Sequence, residues 1–192
     1  MQLWLISDMH LKHSNMYKFL MPDGTRVRYE FRDEYEGDAY MCQKWCELVK
    51  PSDHIYNLGD VSMERSSASK EWFVNTIRSL PGHKRLILGN HDHLALDVYR
   101  DAGFEKIKGS HKLDRLLLSH FPIHESSIPK WSLGNVHGHT HRNPNITPIV
   151  DKTTESVKVW LNVCVEHTNY EPVPIEEVVA KLEKIRSKTL SM

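Results

Sequence analysis

Apolar and polar positions fall in short blocks along the chain. "QLWLIS" is an apolar run closed by Ser7-Asp8 and predicts a buried strand. A polar stretch, 11–37, follows; within it "FLMPDGTRVRYEF" sets a Pro-Asp-Gly turn between partly alternating residues, a candidate hairpin. From Asp38 to Lys50, Cys42, Trp45, Cys46 and Val49 recur at helical spacing, and Pro51 stops that helix. "HIYNLGD" reads as the second strand. Ser66 to Leu80 reads as a helix with Trp72, Phe73, Ile77 and Leu80 on one side. Pro81-Gly82 ends it, and "KRLILGNHD" is a third strand with its exit loop. A short helix is expected over Leu94–Ala102. The strand-like runs "KLDRLLLSH", "GNVHGH", "ITPIV" and "VKVWLNV" come next. From Pro174 to Ser187, Ile175, Val178, Val179, Leu182 and Ile185 share one helical face.

Strand and helix alternate in the first half, whereas the second half is mostly strands closed by a helix. That order predicts a layered α/β domain with a mixed sheet or two facing sheets. With 192 residues and 40% hydrophobic content, one domain over 1–192 is the simplest organisation, with 11–37 as a candidate lid insertion. Twenty-five basic side chains balance 25 acidic ones, so no broad electrostatic grip on nucleic acid or an anionic membrane is implied. No apolar run reaches the roughly 18 residues of a membrane helix. The first ten residues read as a strand rather than a signal peptide. The cysteines, Cys42, Cys46 and Cys164, lack zinc-ribbon spacing and read as buried free thiols. Together these features point to a cytoplasmic protein.

The outlier is histidine, with 13 in the chain. The first strand ends in Asp8 and His10, the second in Asp60, and the third in Asn90, His91 and Asp92. A later run ends in His120, and "HGHTH" supplies His137, His139 and His141. Taken singly, each is an ordinary turn; "GNHD" makes a good Asx turn. Taken together, five apolar runs deliver metal-type ligands to the carboxyl edge of the strands, where α/β sheets bind ligands. Clustered imidazoles and carboxylates need partners, and divalent cations supply them.

In this order, "D-x-H", "GD", "GNHD", "H" and "GHTH" resemble the calcineurin-like metallophosphoesterases. The resemblance implies a two-layer β-sandwich flanked by helices, with two metals at the sheet edge. Asp8, His10 and His141 would hold the first ion, Asn90, His120 and His139 the second, and Asp60 would bridge them. His91 matches the family's catalytic histidine. His137 matches no ligand and is assigned to packing or to support of the ligands. The implied activity is metal-dependent hydrolysis of phosphodiesters or monoesters, with a hydroxide shared by the metals as nucleophile and His91 as general acid. Mixed N and O donors suit Mn, Fe, Zn or Ni, with Mn the first choice in assay. Asp92 either orients His91 or caps the next helix, with the cap favoured.

"SDMHLKHSN" resembles a small bacterial and phage variant of the pattern, as does the tail "LNVCVEHTNYEPVPIEEV". Leu11-Lys12 stands where that variant carries an aromatic–glycine pair. His13 is then a candidate contact for the substrate phosphate, the alternative being a surface histidine. Arg142 is a second candidate, suited to bidentate phosphate contact. "GDVSMER" lacks the longer "GDxxDRG" of protein phosphatases, which ranks phosphoproteins low. The 11–37 segment interleaves Tyr17, Phe19, Tyr29 and Phe31 with Lys18, Arg26, Arg28 and Arg32. It reads either as a hairpin packed over the core or as a lid that stacks a base, so a nucleotide or oligonucleotide is the leading substrate. A non-catalytic metal-binding scaffold that binds a protein partner is the alternative, and the presence of His91 weighs against it. A β-lactamase-like site would need H-x-H-x-D-H where this chain has "HTHRN".

Overall fold

Strands whose residues are apolar at consecutive positions must be covered on both faces. In the computed structural model, which describes all residues except 65–66, 145, 152–155 and 191–192, neighbouring strand residues do point into different cores. The first sheet contains β1 (Leu3–Ile6), β2 (His54–Asn57), β3 (His83–Ile87), β4 (Phe104–Lys108) and β10 (Val173–Pro174). Its order is β10-β1-β2-β3-β4, with β1 to β4 parallel and β10 antiparallel to β1. The second contains β5 (Ser110–Leu113), β6 (Leu116–Ser119), β7 (Gly134–His137), β8 (Ile146–Asp151) and β9 (Ser156–Asn162), in the order β5-β6-β7-β9-β8.

Leu5, Tyr56 and Ile87 face Leu118, Val136, Val159 and Leu161 across the space between the sheets. Ile6, Ile55 and Leu86 face the other way, onto the helices. These are α1 (Glu34–Leu48), α2 (Ser67–Ser79) and α3 (Leu96–Asp101), which contribute Met41, Trp45, Phe73, Ile77, Val98 and Tyr99. The last helix, α4 (Ile175–Leu190), adds Val178 and Leu182 to the inter-sheet core. The result is the expected two-layer sandwich flanked by helices. No helix among the described residues is long and apolar enough to cross a membrane.

Several local expectations change. Helix α1 starts at Glu34 rather than Asp38, because Asp33 caps it by accepting from Glu36 N at 3.1 Å. Its buried face is Met41, Trp45 and the following Val49; Cys42 is half-buried and Cys46 exposed, so only Cys164 is a fully buried thiol. Ser66, the expected start of α2, lies outside the described residues. "KLDRLLLSH" is two strands, because Asp114 (φ 48°) turns the chain between β5 and β6. The edge strand β4 and the short β10 carry too little apolar pattern to be seen in the sequence. The candidate hairpin in 11–37 is reduced to one bridge, Leu20 with Arg26. Around it the segment packs inward: Tyr17, Val27 and Phe31 join the helix-side core, and Arg28 is completely buried.

Candidate metal centre

Five strands end on one edge of the sandwich, and their exit turns carry the chemistry. Asp8 and His10 follow β1, Asp60 follows β2, and Asn90 and His91 follow β3. His120 follows β6, and His139 and His141 follow β7. These turns are tight. Nine described non-glycine residues have positive φ, and five of them are Asp8 (59°), His10 (49°), Asp60 (54°), His139 (69°) and His141 (44°). Each such residue costs on the order of 1–2 kcal/mol. Strain of this kind gathers where a function fixes the backbone. Cross-loop bonds hold it: Asp8 N to Gly59 O at 3.0 Å, His10 N to Asp60 O at 2.9 Å, and His139 N to Asp8 Oδ2 at 2.9 Å.

Glycines at the exit turns make the convergence sterically possible. A Cβ on Gly138 would run into Ser7 Oγ and the Asp8 carboxylate, and one on Gly89 would run into Asp60. That is the role of the glycine within "HGHTH": it lets β7's exit press against β1's. His137 is buried and its Nδ1 sits 2.8 Å from Gly138 O, so it supports this turn.

The side chains then close on two positions. Potential ligand atoms of Asp8, His10 and Asp60 lie within 4.8 Å of one another, as do those of Asp60, His120 and His139. Asp60 belongs to both groups. Its Oδ1 accepts from His91 N at 2.8 Å, while its Oδ2 stands 3.5 Å from His10 Nε2 and 3.4 Å from His120 Nε2. His141 Nε2 approaches Asp8 Oδ1 at 4.0 Å, and Asn90 Oδ1 lies 2.9 Å from His120 Nε2. Cys164 Sγ also joins, donating to Asp8 Oδ2 at 3.2 Å.

A cation fits this arrangement. Asp8 Oδ1 and His10 Nε2 are buried, face each other at 3.8 Å, and have no hydrogen-bond partner. That separation is too long for a hydrogen bond, and buried polar atoms are rarely left unpaired. Lone pairs of carboxylate and imidazole converging on one point are a metal donor set. His120 Nδ1 lies 2.8 Å from Leu58 O, which as a donor frees Nε2 to face Asp60.

The two carboxylates of the cluster are held ionised. Burial pushes the Asp8 carboxyl up, but His10, His141 and His120 together hold it well below the usual carboxylate range. Asp60 is likewise lowered against its burial by His120 and His10. Both are therefore anionic at neutral pH. Burial keeps His10 and His139 below the ordinary imidazole value, so they offer lone pairs rather than charge, whereas Asp60 and Asp8 raise His120, and Glu166 and Asp8 raise His141, against their burial. His13, with its Nδ1 3.4 Å from His10 Nδ1, is lowered to about 4 by burial and by His10.

His91 stands beside the cluster. Its ring lies 5.2 Å from that of His10 and 6.4 Å from that of His13, and its Nδ1 is buried without a partner. Asp92 neither orients His91 nor caps α3, whose N-cap is Ala95. Instead its carboxylate accepts from Gly89 N (2.8 Å), Asp60 N (2.9 Å) and Val61 N (3.1 Å), stapling the β2 and β3 exits together. Arg142 is held by groups outside both donor sets. Its guanidinium donates to Val27 O, Glu30 and, at 3.1 Å, Tyr170 OH, and it stacks over Tyr29 at 4.5 Å.

Glu166 escaped the sequence reading, and Arg28 entered it only as one base among those of the 11–37 segment. Glu166 follows β9, and its carboxylate lies 3.3 Å from His141 Nδ1. Arg28, from the 11–37 segment, donates to Glu166 at 2.9 Å. Glu166 was accessible to the strand-exit rule, since "LNVCVE" leaves β9 as the other motifs leave their strands. Arg28 has no local signal, because it looks like any other base in a basic stretch.

Comparison with known proteins agrees with this geometry. The calcineurin-like phosphoesterase family matches residues 1–185. The chain is 27% identical over 186 residues to the uncharacterized protein MJ1445 of Methanocaldococcus jannaschii, covering 95% of this chain and 92% of that protein. It is 29% identical over 167 residues to the gene 66 protein of Mycobacterium phage L5, covering 72% of this chain and 76% of that protein. The crystal structure of AQ665 from Aquifex aeolicus, a protein of unknown function, shares the fold with a TM-score of 0.66 at 22% identity, covering 93% of this chain and 98% of that chain. Family match, sandwich and paired donor clusters coincide, and the chain belongs to the calcineurin-like phosphoesterases.

Proposed function

We propose that the protein is a dinuclear metal-dependent phosphodiesterase acting on a nucleotide or short oligonucleotide. The observation that carries this reading is Asp60, whose Oδ2 lies between two imidazole-rich donor sets. Asp8, His10 and His141 would hold one divalent ion and Asn90, His120 and His139 the other, with Asp60 shared. When bound, the ions supply positive charge for a phosphate and acidify water at neutral pH. Mn, Fe, Zn or Ni fits the mixed donors better than Mg or Ca.

The chain's own groups do the rest. Asp92 locks the β2 and β3 exits, so Asp60 and His91 keep a fixed relation. His91, outside both donor sets, would give a proton to the leaving oxygen. His13, neutral at pH 7, borders the same space and can contact a bound phosphate. The exposed rings of Phe19 and Phe121 flank the cluster, 5.9 Å from His13 and 4.5 Å from His139, and offer stacking faces for a base.

The choice of diester over monoester rests on charge. Arg28, Arg142 and Lys12 are each held by protein acceptors, with Lys12 on Glu64 at 3.3 Å. A dianionic monoester therefore gains less from them than a site with open cations would give. The test is to load the full chain with Mn²⁺ and assay nitrophenyl diester and monoester, then cyclic nucleotides and short oligonucleotides. Chelated protein and Asp60→Asn serve as controls. Diester cleavage that disappears in both controls is expected. Metal binding with no turnover on any ester would overturn the proposal in favour of a scaffold.

A further inference from the structure

The 11–37 segment carries a buried cation that the proposed reaction does not use. Arg28 is fully buried, and its donors meet acceptors on the turn that carries Asp8 and on Glu166. One terminal nitrogen gives a hydrogen bond to Asp8 O at 2.7 Å. The other reaches Met9 O at 2.9 Å and Tyr17 OH at 3.4 Å, and Nε reaches Glu166 Oε1 at 2.9 Å. Glu166, with no side-chain exposure, meets His141 Nδ1 at 3.3 Å through both oxygens. A proton on Nδ1 leaves the Nε2 lone pair on the side of Asp8 Oδ1. Next along the chain, Arg142 ties into the same segment through Val27 O and Glu30, and Tyr170 OH donates to Glu30 at 2.7 Å.

Resting on the reading of this edge as a metal centre, we infer that residues 11–37 are a structural part of the first metal position, with Arg28 as a positioning residue. Two connections carry its effect. Through the carbonyls of Asp8 and Met9, Arg28 holds the strained turn that presents Asp8 and His10. Through Glu166 it fixes the ring orientation of His141. A planar fork with several donors can serve these acceptors at once, and a lysine ammonium cannot match its geometry. The second position meets this arrangement through one backbone contact, His139 N to Asp8 Oδ2 at 2.9 Å, whereas the described hydrogen bonds of the Asn90 and His120 side chains run to each other and to Leu58 O. The effect therefore falls on the first position more than on the second, because Asp8, His10 and His141 are all held through Arg28 or Glu166.

The test titrates Co²⁺ into metal-free full-length protein by calorimetry, comparing wild type with Arg28→Lys and with the double variant Arg28→Met/Glu166→Gln. The double variant removes both charges, so neither is left buried alone. Circular dichroism and thermal unfolding of the metal-free forms establish folding. Wild type should bind two ions. The variants should keep one at wild-type affinity and bind the other about ten- to a hundred-fold more weakly. A folded double variant with two wild-type sites, or equal weakening of both, overturns the inference. Fewer than two ions on wild type overturns the metal reading itself and this inference with it. If the variants do not fold, long-range ¹⁵N–¹H spectra of metal-loaded wild type decide: a proton on His141 Nδ1 is expected, and one on Nε2 contradicts the arrangement.

Discussion

Asp60→Asn should empty both metal positions together. The substitution keeps an oxygen for the His91 amide but replaces Oδ2 with an amide nitrogen that has no lone pair to give. Oδ2 is the atom that His10 Nε2 and His120 Nε2 both approach. Losing a group that only supports a ligand costs about 10- to 100-fold in metal affinity; losing a shared ligand should cost at least the upper end of that at each position. The loop itself should survive, since Asp92 holds the Asp60 and Val61 amides independently of the Asp60 side chain. Metal content by mass spectrometry, with circular dichroism of the same sample, checks both statements. Loss of a single ion would remove Asp60 from the bridging role.

His91→Ala should do the opposite: keep the metals and lose the turnover. His91 lies in neither donor group, and its backbone amide, the part that touches Asp60, is retained in the variant. A general acid contributes about 10²- to 10⁴-fold, and only where the leaving group needs a proton. The variant should therefore lose two or more orders of magnitude in kcat on a cyclic nucleotide and much less on a nitrophenyl diester, whose leaving group departs as an anion. An equal loss on both substrates would point to general damage at the site. Full activity on both would remove His91 from the reaction.

The two substitutions are separable because the sequence states its ligands so locally. Each of the five strands gives way within three positions to a polar residue of the candidate site, so strand exits could be read as a set before any distance was known. The sandwich followed from the same runs: Leu5 and Ile6, or Tyr56 and Ile55, are apolar because both faces of their strands are covered. What the sequence hid depends on contacts between distant segments. Arg28 and Glu166 are 138 positions apart, and nothing near Arg28 marks it as the buried member of a basic stretch. Asp92 looked like a helix cap because it precedes one, yet it accepts from amides of two separate strand exits. Arg142 looked like a phosphate ligand because its fork suits bidentate contact, yet Glu30 and Val27 take its guanidinium. Local pattern reveals which residues an exit turn offers. Which acceptor a long side chain reaches is decided by packing.

The central claim is that two cations share the carboxylate of Asp60. Anomalous diffraction from crystals grown with Mn²⁺ addresses it without reference to any substrate. Two peaks should appear on opposite sides of Asp60 Oδ2, one against Asp8, His10 and His141, the other against Asn90, His120 and His139. A single peak, or a pair elsewhere on the molecule, would contradict the account.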